Sequence, residues 1–275
     1  MDKLSTSKET QYILKKYDLK AKKSLGQNFL IDDNILHNIV SAADVDEHTL
    51  VFEVGPGLGA LTAHLADRAK KVVAIEIDRR LEPVLNERFQ AYSNVEIVFE
   101  DVLKTDIGAL IEQHVQEGER VAVVANLPYY VTTPILMRFL TASPLIATIV
   151  VMIQKEVAER LNAEPGEKSY GSLSIAVQYT SDPKIVMTVP KTVFIPQPNV
   201  DSAVIKLDIL KKKRVDVKDE DFFFKIIRAA FAQRRKTLMN NLIHAFGKDQ
   251  KETLNTVLES VNISPQRRGE TLTID

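Results

Sequence analysis

A doubly wound α/β sheet followed by a small helical domain is the fold class this sequence predicts, and three observations predict it. Short β-branched runs alternate with helix-length segments from Leu50 to Ile153, the pattern of parallel strands joined by helical crossovers. A loop with glycine at 55, 57 and 59 follows the first of those strands directly, and glycine permits the φ > 0 turns that bring backbone close to a ligand. Beyond Lys211 the β-branched runs stop and only helical spacing remains.

Taken in order, residues 1–23 form a lysine-bearing helical arm, and Ser24–Leu30 (SLGQNFL) breaks into a loop. Gln27 and Asn28 stand there either to fold over a ligand or as plain turn residues. Asp32 or Asp33 caps the next helix. Strand Leu50–Val54 enters the glycine loop, helix Ala60–Ala69 follows, and strand Lys71–Ile77 closes a βαβ unit. Strands Val95–Phe99, Val121–Ala125 and Ala147–Ile153 continue the alternation. In such sheets ligands sit at the carboxyl ends of the strands. Glu53 and Gly55 end the first strand, Glu76 the second, Asp101 follows the third and Asn126 the fourth. A short helix Lys155–Asn162, a loop Glu164–Tyr170 and a helix Gly171–Tyr179 come next. Strands Lys184–Val189 and Val200–Leu210 have too short a connection for a parallel crossover and are expected to pair antiparallel at the sheet edge. Seven strands ending this way are the arrangement of Rossmann-like methyltransferases. Lys211–Asp221 is a linker, and Phe222–Phe246 and Lys251–Val261 are helical, which places a catalytic domain at 1–210 and a small all-helical domain at 211–275.

Composition narrows the chemistry. The chain has 275 residues, 45% of them hydrophobic, enough for a full core. Its opening MDKLSTSKETQ lacks a signal-peptide stretch and no apolar run approaches the ~20 residues that span a bilayer, so a cytoplasmic protein without membrane partners is expected. The absence of cysteine excludes disulfides, thiolate zinc sites and covalent cysteine catalysis. His37, His48, His64, His114 and His244 show no paired ligand spacing, and no metal is expected. A net charge of −1 hides an uneven distribution: residues 1–27 carry +4 and 222–248 carry +6, leaving −11 on the remainder. Lys22 and Lys23 in the arm, with Arg234, Arg235 and Lys236 near the other end, are candidate phosphate contacts, against the alternative of a solvated basic face.

The cofactor follows from how the glycine loop departs from nucleotide-binding patterns. Its spacing is GxGxG rather than GxGxxG, and no P-loop Lys-Ser/Thr follows. Glu53, two residues before Gly55, suits a cation better than a pyrophosphate. Glu76 stands about 20 residues beyond the first glycine, where an acid accepts ribose hydroxyls. S-adenosylmethionine, with a sulfonium, an ammonium and a ribose but no phosphate, fits this set on Gly55 and Gly57, with Asp101 accepting from the adenine amino group.

Asn126, Leu127, Pro128 and Tyr129 follow the fourth long strand, and Thr133-Pro134 is expected to cap the next helix with proline at its first position. A proline-stiffened turn would explain them structurally. Their place at the ligand edge gives a chemical use: acceptors on the exocyclic amine of an adenine would favour the tetrahedral nitrogen that attacks a methyl, while Tyr129 stacks on a base taken out of its helix. Phe194, on the loop FIPQPNVDSAV, either covers the other face of that base or is a core residue.

At these residues the chain resembles the ribosomal RNA adenine dimethyltransferase family. KKSLGQNFL at 22–30, EVGPGLG at 53–59, EID at 76–78, EDVL at 100–103, NLPYYVTTP at 126–134, QKEVAERL at 154–161, FIPQPNVDSAV at 194–204, FAQRRKTLMNNL at 231–242 and RRGETL at 267–272 carry the resemblance. It implies cofactor contacts at Asn28, Leu30, Gly55, Glu76, Asp101 and Asn126, and target-base contacts at the tetrad and Phe194. It also implies the housekeeping branch, which dimethylates N6 of two adjacent adenosines near the 3′ end of small-subunit (16S) rRNA. The expected partner is the small ribosomal subunit precursor and the expected state a monomer. Relatives are expected to continue with another helix after TLTID. Asn28 in GQNFL and the FAQRRKTL helix favour this branch over the large-subunit, antibiotic-resistance branch. A binding-type assembly factor and a nicotinamide oxidoreductase are the alternatives from other classes, the last disfavoured by the glycine spacing and the tetrad.

Overall fold

The computed structural model describes residues 6–275, apart from the side chain of Lys23. Two compact units divide it: residues 1–158 with 182–209, and 159–181 with 210–275.

The first unit opens with α1 (Ser7–Lys16), capped by Thr6 accepting from the Glu9 amide, and a two-residue strand β1 (Phe29–Leu30). Helix α2 (Asp33–Ala42) starts where Asp32 accepts from the Ile35 amide. Then β2 (Thr49–Val54), α3 (Ala60–Ala66), β3 (Lys71–Ile75), α4 (Glu82–Phe89), β4 (Val95–Val98), α5 (Ile107–His114), β5 (Arg120–Asn126), α6 (Thr132–Ala142) and β6 (Ile146–Gln154) alternate along the chain. The chain then leaves this unit through α7 (Lys155–Asn162) and α8 (Ser172–Gln178), whose residues from 159 on belong to the second unit, and returns in β7 (Ser181–Val189), β8 (Phe194–Ile195) and β9 (Ser202–Ile209). The main sheet has the order β4-β3-β2-β5-β6-β9-β7. Strands β2 to β6 pair in parallel, and β9 runs antiparallel to β6 with Ser202 opposite Gln154. Strand β1 pairs antiparallel with β8, Leu30 opposite Phe194.

Every residue of β2 is buried, as expected of a central strand covered on both faces. On one face Leu36, Ile39 and Val40 of α2 and Leu61 and Leu65 of α3 pack on Val51, Val124, Val150 and Val204. A second cluster joins Leu58, Val84, Leu85 and Phe89 to Ile13 and Leu14 of the N-terminal helix. That helix is tied to α4 by Glu87, which accepts from the Lys16 ammonium at 2.6 Å and from the Tyr17 hydroxyl.

Two expectations shift. Helix α6 begins at Thr132, so Pro134 is its third residue, and its N-cap, Val131, offers no side-chain cap. Thr132 Oγ1 instead donates to the Pro128 carbonyl at 3.1 Å, and proline is tolerated because the first amides of a helix lack intrahelical partners. Helix α3 ends at Ala66, short of Ala69, with the Asp67 amide bonded back to the Ala63 carbonyl.

The second unit adds α9 (Glu220–Ala230), α10 (Leu238–Phe246) and α11 (Lys251–Ser260). The helical span expected over Phe222–Phe246 is therefore two helices. The connection between them is held by Asn241, whose Nδ2 donates to the Ala230 and Gln233 carbonyls at 2.8 and 3.2 Å, while Thr237 caps α10. Gly269 packs so closely that a Cβ there would lie 2.6 Å from the Ala230 carbonyl oxygen. Residues 159–181, which the sequence assigned to the catalytic domain, group with these helices. Aromatic packing explains it: Tyr170 meets Phe231 at 5.8 Å, and Tyr179 meets Phe223 and Phe224 at 5.1 and 5.5 Å between ring centroids. Arg214 Nε also donates to the Gln178 carbonyl at 2.9 Å. No helix among the described residues is long and apolar enough to cross a membrane.

Candidate active site

A cavity of about 310 Å³ opens at the carboxyl ends of β2, β3 and β5. Parallel strands end on one side, and the chain turns there into loops whose side chains and amides face the same space. Asn28, Leu30, Glu53, Gly55, Gly57, Glu76, Asp101, Asn126, Leu127, Pro128 and Tyr129 all line it. The sequence had named each of them separately; the sheet brings them together.

The glycine loop is built as its spacing implied. Gly55, Gly57 and Gly59 have φ of 70°, 58° and 81°. A Cβ on Gly59 would stand 2.6 Å from the Phe89 ring, so that position favours glycine for space as well as for backbone, while Gly57, with the Phe29 ring 3.3 Å from where a Cβ would stand, favours it chiefly for its backbone. Gly55 continues the sheet ladder, its amide donating to the Ile75 carbonyl at 2.9 Å.

Three carboxyls meet this loop in different states. Glu53 is 1% exposed, and burial, reinforced by the Glu76 carboxylate, pushes its carboxyl up to about 8. The nearby Thr62 hydroxyl works against that rise, and Oε2 makes no well-formed hydrogen bond among the described residues. A buried carboxyl with a poorly satisfied oxygen on a cavity wall is costly, and a cation in the cavity would relieve that cost. Glu76 is also raised by burial, but the amides of Asp78 and Gly57, at 2.8 and 3.2 Å, work against that rise and hold the carboxyl across the loop. Asp78, just below, is lowered chiefly by Arg80, which binds it with both Nε and Nη2 at 2.8 and 2.5 Å, and by Gln27 Nε2 at 2.9 Å. Gln27 thereby ties the SLGQNFL loop to the end of β3. Asp101 turns Oδ1 to the Leu103 amide at 3.0 Å. Ile77 and Val102 add apolar wall beside it.

At the other side of the cavity Asn126 ends β5. Its Nδ2 donates to the Asn28 carbonyl at 3.3 Å, which turns Oδ1 away as an acceptor. The Pro128 carbonyl is taken by Thr132 Oγ1 and the Val131 amide. Tyr129 is half-buried, with its hydroxyl 2.6 Å from Ser202 Oγ; burial raises its phenol.

Some expected residues fall elsewhere. Phe194 is 3% exposed, packs in the core against Leu30 and Leu36, and does not line the cavity; of the two readings left open, the structure shows the packing one. The pairing of β1 with β8 draws its ring inward beside Leu30. Arg234, Arg235 and Lys236 lie on the turn between α9 and α10 rather than on a helix. Arg235 and Lys236 are exposed, but Arg234 Nε pairs with Glu270 at 2.6 Å and its other nitrogens donate to the Lys168 and Glu167 carbonyls, so it braces its own unit. Lys22 is exposed, while the Lys23 side chain lies outside the described residues. Sequence reasoning missed Thr10, a buried residue of α1 on the cavity wall, and Ser202. Neither carries a local signal, because each reaches the site through packing between distant segments.

The model of the family described as ribosomal RNA adenine dimethylase matches residues 18–275. Ribosomal RNA small subunit methyltransferase A of Geobacillus sp. (strain WCH70) is 56% identical over 274 residues, covering 99% of this chain and 94% of the relative. The protein of the same name from Alkaliphilus oremlandii (strain OhILAs) is 54% identical over 275 residues, covering 100% and 96%. Among solved structures, a dimethyladenosine transferase from Plasmodium falciparum superposes with a TM-score of 0.75 at 28% identity, covering 90% of this chain and 93% of that one. The 23S rRNA methyltransferase ErmE gives 0.69 at 26% identity, covering 90% and 95%.

Proposed function

The chain belongs to the ribosomal RNA adenine dimethylase family and is an rRNA adenine dimethyltransferase, and from that premise we propose that it uses S-adenosylmethionine to dimethylate N6 of two adjacent adenosines near the 3′ end of small-subunit rRNA. The observation that carries this reading is the single cavity shared by Glu53, Glu76 and Asp101 on one side and by the Asn126–Tyr129 tetrad on the other.

When bound, S-adenosylmethionine supplies an electrophilic methyl group. Glu53 would receive the cationic end of the donor, Glu76 the ribose hydroxyls, and Asp101 the adenine amino group. The Gly55 and Gly57 backbone leaves room for the donor to lie against the loop. The target adenine presents a nitrogen whose lone pair is delocalised into the ring. Asn126 Oδ1 accepts one of its protons. A backbone carbonyl of the tetrad accepts the second; that of Pro128 is already bonded twice. Two acceptors favour the tetrahedral nitrogen whose lone pair points at the methyl. Tyr129 stacks on the base and fixes its plane. The donor would leave as the thioether S-adenosylhomocysteine, and the methylated ammonium, being acidic, would lose its proton to water, so no side-chain base is needed. Catalysis would be positioning and fixed dipoles.

The small-subunit substrate is favoured over large-subunit RNA by the identity levels: 56% to a relative named for the small subunit against 26% to one named for 23S rRNA. Supplying labelled cofactor to unmethylated small-subunit particles and to large-subunit RNA, then mapping reverse-transcription stops, tests it, since dimethyladenosine blocks pairing. Two adjacent stops in the small-subunit RNA are expected; a stop in large-subunit RNA alone would transfer the chain to the other branch.

A further inference from the structure

Tyr130, the residue after the tetrad, belongs to none of the roles above. Its ring lines the cavity and the residue is 58% exposed, among the most exposed large hydrophobic residues described. Leaving so much aromatic surface in water is unfavourable unless something covers it. The ring is also held in place. Gly26, at φ 61°, lies so close that a Cβ there would come within 3.2 Å of Tyr130 Cδ1 and 3.3 Å of Pro128 Cβ. The SLGQNFL loop thus backs the ring against Pro128. That loop is itself fixed, by Gln27 to Asp78 and by the Asn28 carbonyl to Asn126. Tyr129, one residue earlier, has its hydroxyl bound to Ser202 inside the site, whereas no hydrogen bond of the Tyr130 hydroxyl is made among the described residues. Successive tyrosines therefore face different surroundings, one the reaction space and one the rim.

Taking an adenine out of its stack exposes the faces of its neighbours, at a cost of a few kcal/mol. An aromatic ring at the mouth of the pocket recovers part of that cost by stacking. We propose that Tyr130 is the stacking platform for the nucleobase next to the methylated adenosine, forming a second base subsite at the cavity lip. The subsite takes an unpaired base, purine better than pyrimidine because the purine face is larger. The proposal rests on the RNA-methylating function above, and it explains how a pocket shaped for one base engages a substrate with two adjacent targets.

The test compares wild type, Tyr130→Ala, Tyr130→Phe and Tyr130→Trp on unmethylated small-subunit particles, alongside particles whose rRNA carries uridine in place of the neighbouring adenosine. Tyr130→Ala is expected to raise KM for particles roughly tenfold, with kcat and S-adenosylmethionine affinity within about twofold of wild type. Phenylalanine and tryptophan are expected to restore KM. The uridine particles are expected to raise KM for wild type but to add little to the loss in Tyr130→Ala, because both changes disrupt the same stacked pair. An unchanged KM in Tyr130→Ala, additive effects of the two changes, or a fall in cofactor affinity as the main effect would each overturn the subsite. A wild-type protein inactive on these particles would instead overturn the function on which it rests.

Discussion

Replacing Glu53 by glutamine separates the cost of the site from its use. Glu53 is almost wholly buried and its carboxyl is pushed up from 4.5 to about 8. In the unfolded chain the same group ionises near its ordinary value. The folded protein therefore holds a proton that the unfolded chain releases, and stability from the protonated form is fully present below pH 4.5 and lost as pH rises to about 8. At pH 7 the difference corresponds to about 3 kcal/mol, from 1.36 kcal/mol for each pH unit above the unfolded value. Glutamine has the same shape and does not ionise. Without cofactor, the Tm of Glu53→Gln should match or slightly trail wild type near pH 5 and exceed it increasingly up to pH 8, by roughly 2–4 °C per kcal/mol. Cofactor should reverse the ranking. A cation beside Glu53 favours the carboxylate, so binding at pH 7 should release about one proton from wild type and none from the variant. Calorimetry in two buffers of different ionisation enthalpy reads that proton. Parallel Tm curves from pH 5 to 8 would refute the buried-proton argument, and binding without proton release would refute the assignment of the cation to Glu53.

The remaining predictions concern the tetrad, its support and the basic turn. Asn126→Ala should leave cofactor affinity within a few-fold in calorimetry and reduce methyl transfer by at least ~100-fold, as loss of a fixed transition-state acceptor does; normal turnover would remove Asn126 from the reaction. Ser202→Ala and Tyr129→Phe break the same 2.6 Å hydrogen bond, so each should lower kcat by about 3–10-fold, and the double variant should be no worse than either. Multiplying effects in single-turnover assays would show that the bond does not orient the ring. Replacing Arg235 and Lys236 should weaken particle binding and reduce the slope of log affinity against log salt by about one for each phosphate no longer neutralised. Arg234→Ala should chiefly lower thermal stability, because its partners are Glu270 and the 167 and 168 carbonyls.

Local chemistry made much of this legible before any coordinates. Glycines with φ > 0, the fully buried strand β2, acids at strand ends and an Asn-Leu-Pro-Tyr turn are each set by residues close in sequence, so their spacing announces them. The same holds for Asp32, one of the two aspartates that could cap the next helix. The break between α9 and α10 was hidden because it depends on Asn241 and on the close approach of Gly269 to the Ala230 carbonyl. The grouping of 159–181 with the C-terminal helices was hidden for the same reason, since rings far apart in sequence make it.

The sequence by itself determined the sheet and the glycine loop and singled out the candidate site residues, because backbone preference and strand-end position act over a few residues. Tertiary structure alone decided which of those residues share one cavity and how each is charged there. Glu53 becomes a buried neutral acid only when α2 and α3 close over the sheet. Asn126 acquires a free oxygen only because the Asn28 carbonyl, far along the chain, takes its amide nitrogen. Ser202 reaches Tyr129 because β9 runs antiparallel to β6, which sets its first residue at the edge where the parallel strands end. Burial and long-range hydrogen bonds are sums over neighbours that spacing along a chain does not specify.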